Sequence, residues 1–354
     1  MNIRNLQQSL SSGEAYLISS PENRRYLTGF SSSDGFLLVT LKEAVFLTDS
    51  RYIEAAEKTV AGCSEISQLD SLSAQLPEYI KKLGITKLFT ESVRLTVEEF
   101  NRISKIADCS VYAEKADAEI NALRRKKSEE EKNCILKAQA IAEKAFDRIL
   151  RFISTDKTEK EIALELDFFM LKNGAQAVSF ETIAVSGANS SMPHGVPSDK
   201  KIENGDFITM DFGAVVNGYH SDMTRTVAVG SVSGKQAEIY ETVLNAQLAS
   251  LASLKAGVSG FDADKAARDI ITDAGYGKFF GHGTGHGVGI EIHEAPRLSF
   301  KTDAILAEGD VVTVEPGIYL PGEFGVRIED MAYITKNGHE NLTKSPKNLI
   351  IIKY

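Results

Sequence analysis

Two aspartates lie on a predicted β-hairpin, FITMDFGAVVNGYHSDMTRTVAV. Its turn is indicated by Asn217-Gly218, a dipeptide typical of two-residue hairpin turns. In the register that this turn imposes, Asp211 lies opposite Thr224, and Asp222 is its diagonal neighbour on the same sheet face, about 7 Å away at Cα. Two such carboxylates repel each other and lose hydration unless a cation lies between them. The pair indicates a metal site, although two solvent-facing surface charges remain an equally simple interpretation.

A second pair of carboxylates follows nearer the end of the chain. Glu315 closes a nearly unbroken apolar run, Val311 to Val314, which is typical of a buried strand where an unpaired carboxylate is costly. In the next predicted strand, Arg327 and Glu329 lie two residues apart and therefore face the same way. A structural salt bridge between either glutamate and Arg327 is the alternative to a metal.

The third element is glycine-rich, GHGTGHGVGIEIHE, and contains His282, His286 and His293. His282 and His286 have the i, i+4 spacing of a helical zinc site, but five glycines in the nine residues from Gly281 to Gly289 disfavour a helix. A GxGxxG dinucleotide-binding loop cannot be aligned with it either. Alternate glycines instead predict a strand or tight loop whose backbone packs closely against a site.

Together the three elements supply four carboxylates and one imidazole: Asp211, Asp222, His286, Glu315 and Glu329. This set carries too much negative charge for one cation, but it suits two divalent ions that share bridging carboxylates about 3.5 to 4 Å apart. Because oxygen donors dominate and no thiolate is present, Mn²⁺ is favoured, with Co²⁺, Fe²⁺ and Zn²⁺ as alternatives.

These residues must be positioned by two domains of different character. The first third of the chain alternates short apolar runs, such as GFLLVT and EAVFLTD, with helical segments, which predicts an α/β layer. A charge run, LRRKKSEEEK, then leads into a capping box of Ser128 and Glu131 and a long amphipathic helix. We place the domain boundary in this run, giving domains 1–122 and 123–354, and interpret its basic residues as a solvated joint rather than a binding patch.

Composition excludes several classes of protein. Of the 354 residues, 43% are hydrophobic, which is enough for two ordinary cores. The net charge of -9 differs from the excess of basic residues that is typical of nucleic-acid-binding proteins. Three cysteines without a CxxC pair argue against a disulfide framework and a thiolate zinc site. The chain also lacks an apolar leader and any membrane-length apolar run. We expect a cytoplasmic protein with neither a nucleic-acid nor a membrane partner.

The order of these motifs resembles the Xaa-Pro peptidases of the creatinase-like, or pita-bread, metallopeptidase family. The motifs are SMPHG, MDFG, SDMTRT, GHGTGHGVG, VEPGIY and VRIED, and the ligand order Asp, Asp, His, Glu, Glu is highly specific. RYLTGF and FLTDSRY are similar to the noncatalytic N-terminal domain of aminopeptidase P and prolidase. The resemblance implies an α/β (α+β) chain, with an N-terminal creatinase-like α/β domain followed by a C-terminal pita-bread metallopeptidase domain.

The resemblance also implies a role for each matching residue. Asp211 would bind one metal through both oxygens, whereas Asp222 and Glu329 would bridge the two ions. His286 and Glu315 would bind the other ion. The remaining matches are His194 and His293 as substrate and transition-state contacts, His282 as a pocket residue, Arg327 as a partner of the metal ligands, and Arg297 as a cation for the substrate carboxylate.

The implied reaction is hydrolysis of an Xaa-Pro bond at a peptide N-terminus by a hydroxide that bridges two metals. Glu315 would pass a proton to the leaving proline nitrogen, and His293 would donate a hydrogen bond to the developing oxyanion. Arg297 favours an Xaa-Pro dipeptidase over an aminopeptidase P that acts on longer peptides. The motifs would also fit a related metallohydrolase with another substrate, or a nonenzymatic binding module on the same fold. We expect a homodimer that acts on small peptides with proline in the second position.

Overall fold

The computed structural model describes residues 2–353, and the chain divides into two compact units, Met1–Arg124 and Arg125–Tyr354. In the described part of the chain, none of the helices has both the length and the apolar character needed to cross a membrane.

The first unit is an α/β layer built on one mixed sheet. Its strands are β1 (Glu14–Ile18), β2 (Phe36–Thr40), β3 (Ala44–Thr48), β4 (Glu65–Gln68), β5 (Lys87–Thr90) and β6 (Ser110–Tyr112). Their order is β4-β3-β2-β1-β5-β6. The helices are α1 (Asn2–Gln7), α2 (Pro21–Thr28), α3 (Ile53–Thr59), α4 (Leu72–Leu83), α5 (Val97–Ile106) and α6 (Lys115–Arg125). Side chains of α4 and α5, including Leu76 and Ile103, pack on Leu17 and Leu38 of the sheet, which forms the core expected from the alternating pattern.

The second unit contains four long helices, of which the first three begin at capping boxes. They are α7 (Glu129–Ile149), α8 (Glu159–Lys172), α9 (Gly234–Ser253) and α10 (Gly260–Asp273), with short 3₁₀ turns at Gly187–Ser191 and Gly277–Phe279. The predicted box is present, because the Ser128 hydroxyl accepts from the backbone of Glu131 and the Glu131 carboxylate accepts from the backbone of Ser128. Thr158 and Ser233 begin α8 and α9 in the same way.

The strands of the second unit form several small sheets. They are β7 (Ala177–Val178), β8 (Ile183–Ser186), β9 (Phe207–Phe212), β10 (Ala214–Val216), β11 (Tyr219–His220), β12 (Met223–Val229), β13 (Gly285–Gly287), β14 (Glu294–Leu298), β15 (Val311–Val314), β16 (Gly317–Leu320), β17 (Phe324–Arg327), β18 (Asp330–Thr335), β19 (Gly338–Asn341) and β20 (Ile351–Ile352). The sheet orders are β11-β10-β7, β20-β12-β9-β8, β14-β13-β15-β18-β19 and β16-β17. Helices α7 and α8 pack on β8, β9 and β12, and α9 and α10 pack on β16 and β17.

The predicted hairpin and its register are confirmed. Asn217 and Gly218 have φ angles of 49° and 74°, as a two-residue turn with both central residues in the left-handed region requires. Beyond the turn, Asp211 pairs with Thr224. The turn residues alone therefore determine which side chains share a face with the first aspartate.

The single strand predicted for Arg327 and Glu329 is wrong. Strand β17 ends at Arg327, β18 begins at Asp330, and the two strands belong to different sheets. The break occurs because the Glu329 backbone N–H donates to the carbonyl of Thr224, on β12, at 3.1 Å. The two side chains nevertheless meet, because both contact the hydroxyl of Thr224.

The interpretation of the basic run as a solvated joint is also wrong for part of its length. Lys127 is only 3% exposed, and its ammonium lies 2.5 Å from the carboxylate of Glu294. Arg125 donates to the buried carboxylate of Asp310 at 2.7 Å. Both cations form ion pairs within the second unit, so they are not available as a binding patch.

Candidate metal centre

One cavity of about 770 Å³ in the second unit is lined by every residue that the sequence predicts for the site. These residues are His194, Asp211, Asp222, His282, His286, His293, Arg297, Glu315, Arg327 and Glu329. They come from strands and loops that are far apart in the chain, so the cavity is assembled by the fold as a whole.

His286 is held by the glycines on both sides of it. It occupies the middle of β13, between β14 and β15. A Cβ on Gly285 would lie 2.0 Å from the Thr313 carbonyl oxygen, and one on Gly287 would lie 2.3 Å from that of Ala295. Only glycine allows this approach, as the alternating pattern predicts, and the histidine is thereby fixed between two neighbouring strands.

The His286 ring directs a lone pair at two carboxylates. Its Nδ1 lies 3.0 Å from the carbonyl oxygen of Gly287, which can only accept, so Nδ1 carries the proton. Nε2 then faces Asp222 Oδ2 at 3.5 Å and Glu315 Oε1 at 3.4 Å. Burial lowers the pKa of His286 to about 3, which keeps the ring neutral. A lone pair that faces two carboxylates is the arrangement that a bound cation would satisfy.

Three of the five candidate ligands converge tightly. Asp222, His286 and Glu329 are buried, and each offers one ligand atom within 4.8 Å of the others. Burial raises the pKa of Asp222 well above its usual value, and the charge of Glu329 raises it further. Burial likewise raises the pKa of Glu329, with Glu315 adding to the effect. A divalent ion would offset this repulsion, so the donor set fits a metal centre.

Asp211 and Glu315 lie beside this trio. Asp211 accepts from the Arg327 guanidinium at 2.6 Å through Oδ2, whereas its Oδ1 is buried and accepts no hydrogen bond from the residues that the structure describes. A buried carboxylate oxygen without a donor is unusual and is a suitable metal ligand. Glu315, whose pKa burial raises to about 7, accepts a hydrogen bond of 3.2 Å from Thr313. Arg327 therefore pairs with Asp211, and the alternative salt bridge to Glu315 or Glu329 is not formed.

Two residues that sequence reasoning missed form hydrogen bonds with predicted site residues. The Thr224 hydroxyl donates to Glu329 at 2.7 Å and accepts from Arg327 at 3.0 Å. The Tyr319 hydroxyl accepts from Arg327 at 2.9 Å and lies 3.0 Å from Nε2 of His282. Thr224 could have been found, because the predicted hairpin register places it opposite Asp211. Tyr319 carries no such signal, because its contacts come from other segments of the chain.

The remaining predicted residues line the cavity around the trio. The His293 ring packs against that of His286, with ring centroids 4.4 Å apart, and His293 is partly exposed. His194 and Arg297 are exposed on the cavity wall. Within residues 2–353, no carboxylate forms a salt bridge with Arg297, and the nearby acid Glu294 instead pairs with Lys127.

Comparison with known proteins gives matches over nearly the whole chain. The model of metallopeptidase family M24 matches residues 133–336, and that of the creatinase/prolidase N-terminal domain matches residues 3–126. The Xaa-Pro dipeptidase of Pyrococcus horikoshii is 41% identical over 95% of this chain and 94% of its own. A solved Xaa-Pro dipeptidase from Bacillus anthracis superposes with a TM-score of 0.95 at 44% identity, covering 99% of both chains. A solved X-Pro aminopeptidase from Thermotoga maritima superposes with a TM-score of 0.91 at 38% identity, covering 98% of this chain and 99% of its own.

Proposed function

Because this chain belongs to metallopeptidase family M24, we propose that it is an Xaa-Pro dipeptidase, which cleaves the bond between an N-terminal residue and the proline that follows it. The family and the α/β fold class predicted from the motifs are confirmed, and the alternative of a nonenzymatic binding module is set aside in favour of a metallopeptidase. The observation that carries the substrate assignment is the 41% identity to an Xaa-Pro dipeptidase along nearly the whole chain. The metal centre alone would suit any hydrolase of the family.

We assign the metal ligands to five residues that line the cavity: Asp211, Asp222, His286, Glu315 and Glu329. Family M24 implies divalent metal ions, and the convergence of three of these residues supports a site for them here. We propose two ions per chain, with Asp222 and Glu329 shared between them. Because four of the five ligands are carboxylates, Mn²⁺ is the ion we favour.

When bound, the ions would polarise the scissile carbonyl and lower the pKa of water towards neutrality. The Glu315 carboxylate would take up the proton that water loses and release it to the leaving proline nitrogen. His293 would donate a hydrogen bond to the carbonyl oxygen as negative charge develops on it. Arg327, held by Asp211, Thr224 and Tyr319, would keep the aspartate oriented throughout the reaction.

A comparison of two substrates tests this function. The metal-depleted protein, reconstituted with Mn²⁺, should hydrolyse an Xaa-Pro dipeptide faster than an Xaa-Pro-Yaa tripeptide. The second candidate is an aminopeptidase that acts on longer peptides, which the similarity to the Thermotoga maritima enzyme favours. Faster cleavage of the tripeptide would select that candidate, and cleavage of neither peptide would exclude both.

Arg297→Ala should raise KM for Xaa-Pro dipeptides by about tenfold or more, because a hydrogen bond to a charged group contributes roughly 1.5 to 3 kcal/mol. Arg297 is exposed on the cavity wall and has no carboxylate partner within residues 2–353, so it is available for the free carboxylate of the proline. In a tripeptide that carboxylate lies one residue further away, so KM should change little. Steady-state kinetics on both peptides measure the difference.

Lys301→Ala is the matched control for Arg297, because Lys301 is another exposed cation that lines the same cavity. An equal rise in KM for both variants would mean that general positive charge, rather than Arg297, attracts the substrate. Unchanged kinetics of Arg297→Ala on dipeptides would remove the residue-level support for the dipeptidase.

We propose that the chain divides functionally into residues 1–122 and 123–354, with all candidate ligands in the second part. A fragment that begins at Asp117 should therefore keep the metal stoichiometry of the full chain in elemental analysis. Loss of metal from such a fragment while it remains folded would place a ligand in the first part. The cytoplasmic location and the homodimer remain predictions, and sedimentation equilibrium of the metal-loaded protein tests the second.

A further inference from the structure

Glu159 is a fully buried carboxylate outside the candidate metal centre. It is the first residue of α8 and has no exposed surface. In the part of the chain that the structure describes, no cation forms a salt bridge with it. A buried carboxylate without a cation is costly unless hydrogen-bond donors surround it, so its position requires an explanation.

Three residues supply these donors. Ser186 donates its backbone N–H at 2.6 Å and its hydroxyl at 3.0 Å. Ser198 donates its backbone N–H at 3.0 Å and its hydroxyl at 2.6 Å. The Asn189 amide lies 3.1 Å from each carboxylate oxygen. Hydrogen bonds to an ionised acceptor are about twice as strong as those between neutral groups, and here they converge on one side chain.

Two of the three donor residues flank a single loop, and Asn189 lies within it. Ser186 is the last residue of β8, Ser198 lies twelve residues later, and the intervening segment carries Pro193 and His194 to the cavity wall. Glu159 therefore joins the two ends of this segment, which we term the 187–197 loop. No other carboxylate in the described chain accepts hydrogen bonds from both of its ends.

The 187–197 loop also reaches the candidate ligands. The Pro193 carbonyl accepts from Arg327 at 3.1 Å, and the same guanidinium holds Asp211. His194 and His293 both line the cavity, so the loop supplies part of the wall around the group proposed to contact the oxyanion. A shift of the loop would displace His194 and the carbonyl of Pro193 together.

We propose that Glu159 is a positioning residue that clamps the 187–197 loop and so holds His194 in place against the peptide. The role in catalysis rests on the proposed function. Glu159→Gln keeps the size of the side chain but replaces one acceptor oxygen by an NH₂ group, which faces donors and cannot accept from them. The two ends of the loop, at Ser186 and Ser198, would then be held together less firmly.

Glu161→Gln is the matched control. Glu161 lies on the same turn of α8 and is exposed, and among the described residues it accepts only from the backbone and hydroxyl of Thr158. Its replacement weakens the capping box of the helix without touching the 187–197 loop. Both variants remove one negative charge from the first turn of α8. A difference in their exchange rates or kinetics therefore measures the loss of the hydrogen bonds between Glu159 and the ends of the 187–197 loop.

Hydrogen exchange of the metal-free protein provides a measurement that does not depend on activity. The amides of Ser186 and Ser198 should exchange about tenfold faster or more in Glu159→Gln than in the parent or in Glu161→Gln, since each loses a charged acceptor. Equal exchange in all three proteins would overturn the proposal. If Glu159→Gln fails to fold, Glu159→Asp keeps the charge but shortens the side chain by one methylene group, so it cannot reach both ends of the loop, and the amide of Ser186 or Ser198 must then exchange faster than in Glu161→Gln.

Kinetics of the Mn²⁺-loaded protein test the link to His194. Glu159→Gln should lower kcat/KM by about tenfold to a hundredfold, the range expected when a reacting group is misplaced by a distant change. The loss should divide between kcat and KM as it does in His194→Ala, and the double variant should be no worse than His194→Ala alone. Additive losses, or kinetics equal to those of Glu161→Gln, would overturn the proposal. A parent that cleaves no Xaa-Pro peptide would contradict the proposed function, while the exchange result would still decide whether Glu159 holds the loop.

Discussion

Asp222→Asn is expected to remove nearly all peptidase activity, a loss of about a hundredfold or more, because the metal ions supply several kcal/mol of transition-state stabilisation. Asp222 belongs to the buried trio with His286 and Glu329, and we propose that it is shared between the two ions. A neutral amide cannot replace that charge. Elemental analysis of the variant should show fewer than two ions per chain.

The same substitution should stabilise the metal-free protein. Burial raises the pKa of Asp222 in the folded state, and the charges of Glu329 and Asp211 raise it further. When folding raises the pKa of a carboxylate, the folded protein loses stability as the pH rises above the pKa that the group has in the unfolded chain. The Tm of metal-free Asp222→Asn should therefore exceed that of the metal-free parent, and the difference should grow between pH 5 and pH 8.

Asp199→Asn is the control, because Asp199 is an exposed aspartate of the same unit and should alter neither activity nor metal content. Full activity of Asp222→Asn with two ions bound would contradict the assigned ligand. A folded, active parent that contains no metal would contradict the metal centre itself.

His293→Ala should lower kcat by about 10² to 10³, the usual effect of removing one oxyanion donor, while metal content stays at the level of the parent. His293 lies outside the buried trio, and its ring packs against that of His286. His286→Ala should lose both metal and activity, since Nε2 of His286 is the atom that faces Asp222 and Glu315. Kinetics together with metal analysis separate the two variants.

His293→Gln is the conservative control, because glutamine fills part of the space beside His286 and retains an N–H donor. It should keep more activity than His293→Ala. Equal loss of metal from the His293→Ala and His286→Ala variants would mean that His293 is itself a ligand, and the proposed oxyanion contact would be abandoned.

The parts of the fold that depend on local sequence could be predicted. Asn217-Gly218 sets the hairpin register, because the turn type fixes which residues of the two strands are opposite each other. The box of Ser128 and Glu131 likewise marks the start of α7, since both partners lie within one turn of helix. The glycines around His286 predict close backbone contact without any knowledge of what is contacted.

The parts that depend on distant segments could not be predicted. Arg327 and Glu329 are two residues apart and suggest one strand, but a hydrogen bond to Thr224, about a hundred positions away, breaks that strand. A run of charges predicts that Lys127 is solvated, yet a glutamate far along the chain pairs with it in the interior. Such partners are set by packing, which periodicity and composition do not encode.

The break between β17 and β18 places Glu329 where the chain leaves one sheet and enters another. Asp211 and Asp222 belong to the β9–β12 hairpin, and His286 belongs to the sheet that contains β13. A cation held by these side chains, as proposed, would act as a cross-link between sheets that are otherwise joined by loops, packing and hydrogen bonds such as that from Glu329 to Thr224. Its contribution to the free energy of unfolding would be about 2.7 kcal/mol at a free metal concentration a hundredfold above Kd. The supply of metal in the cell would then govern the lifetime of the folded chain against proteolysis as well as its activity.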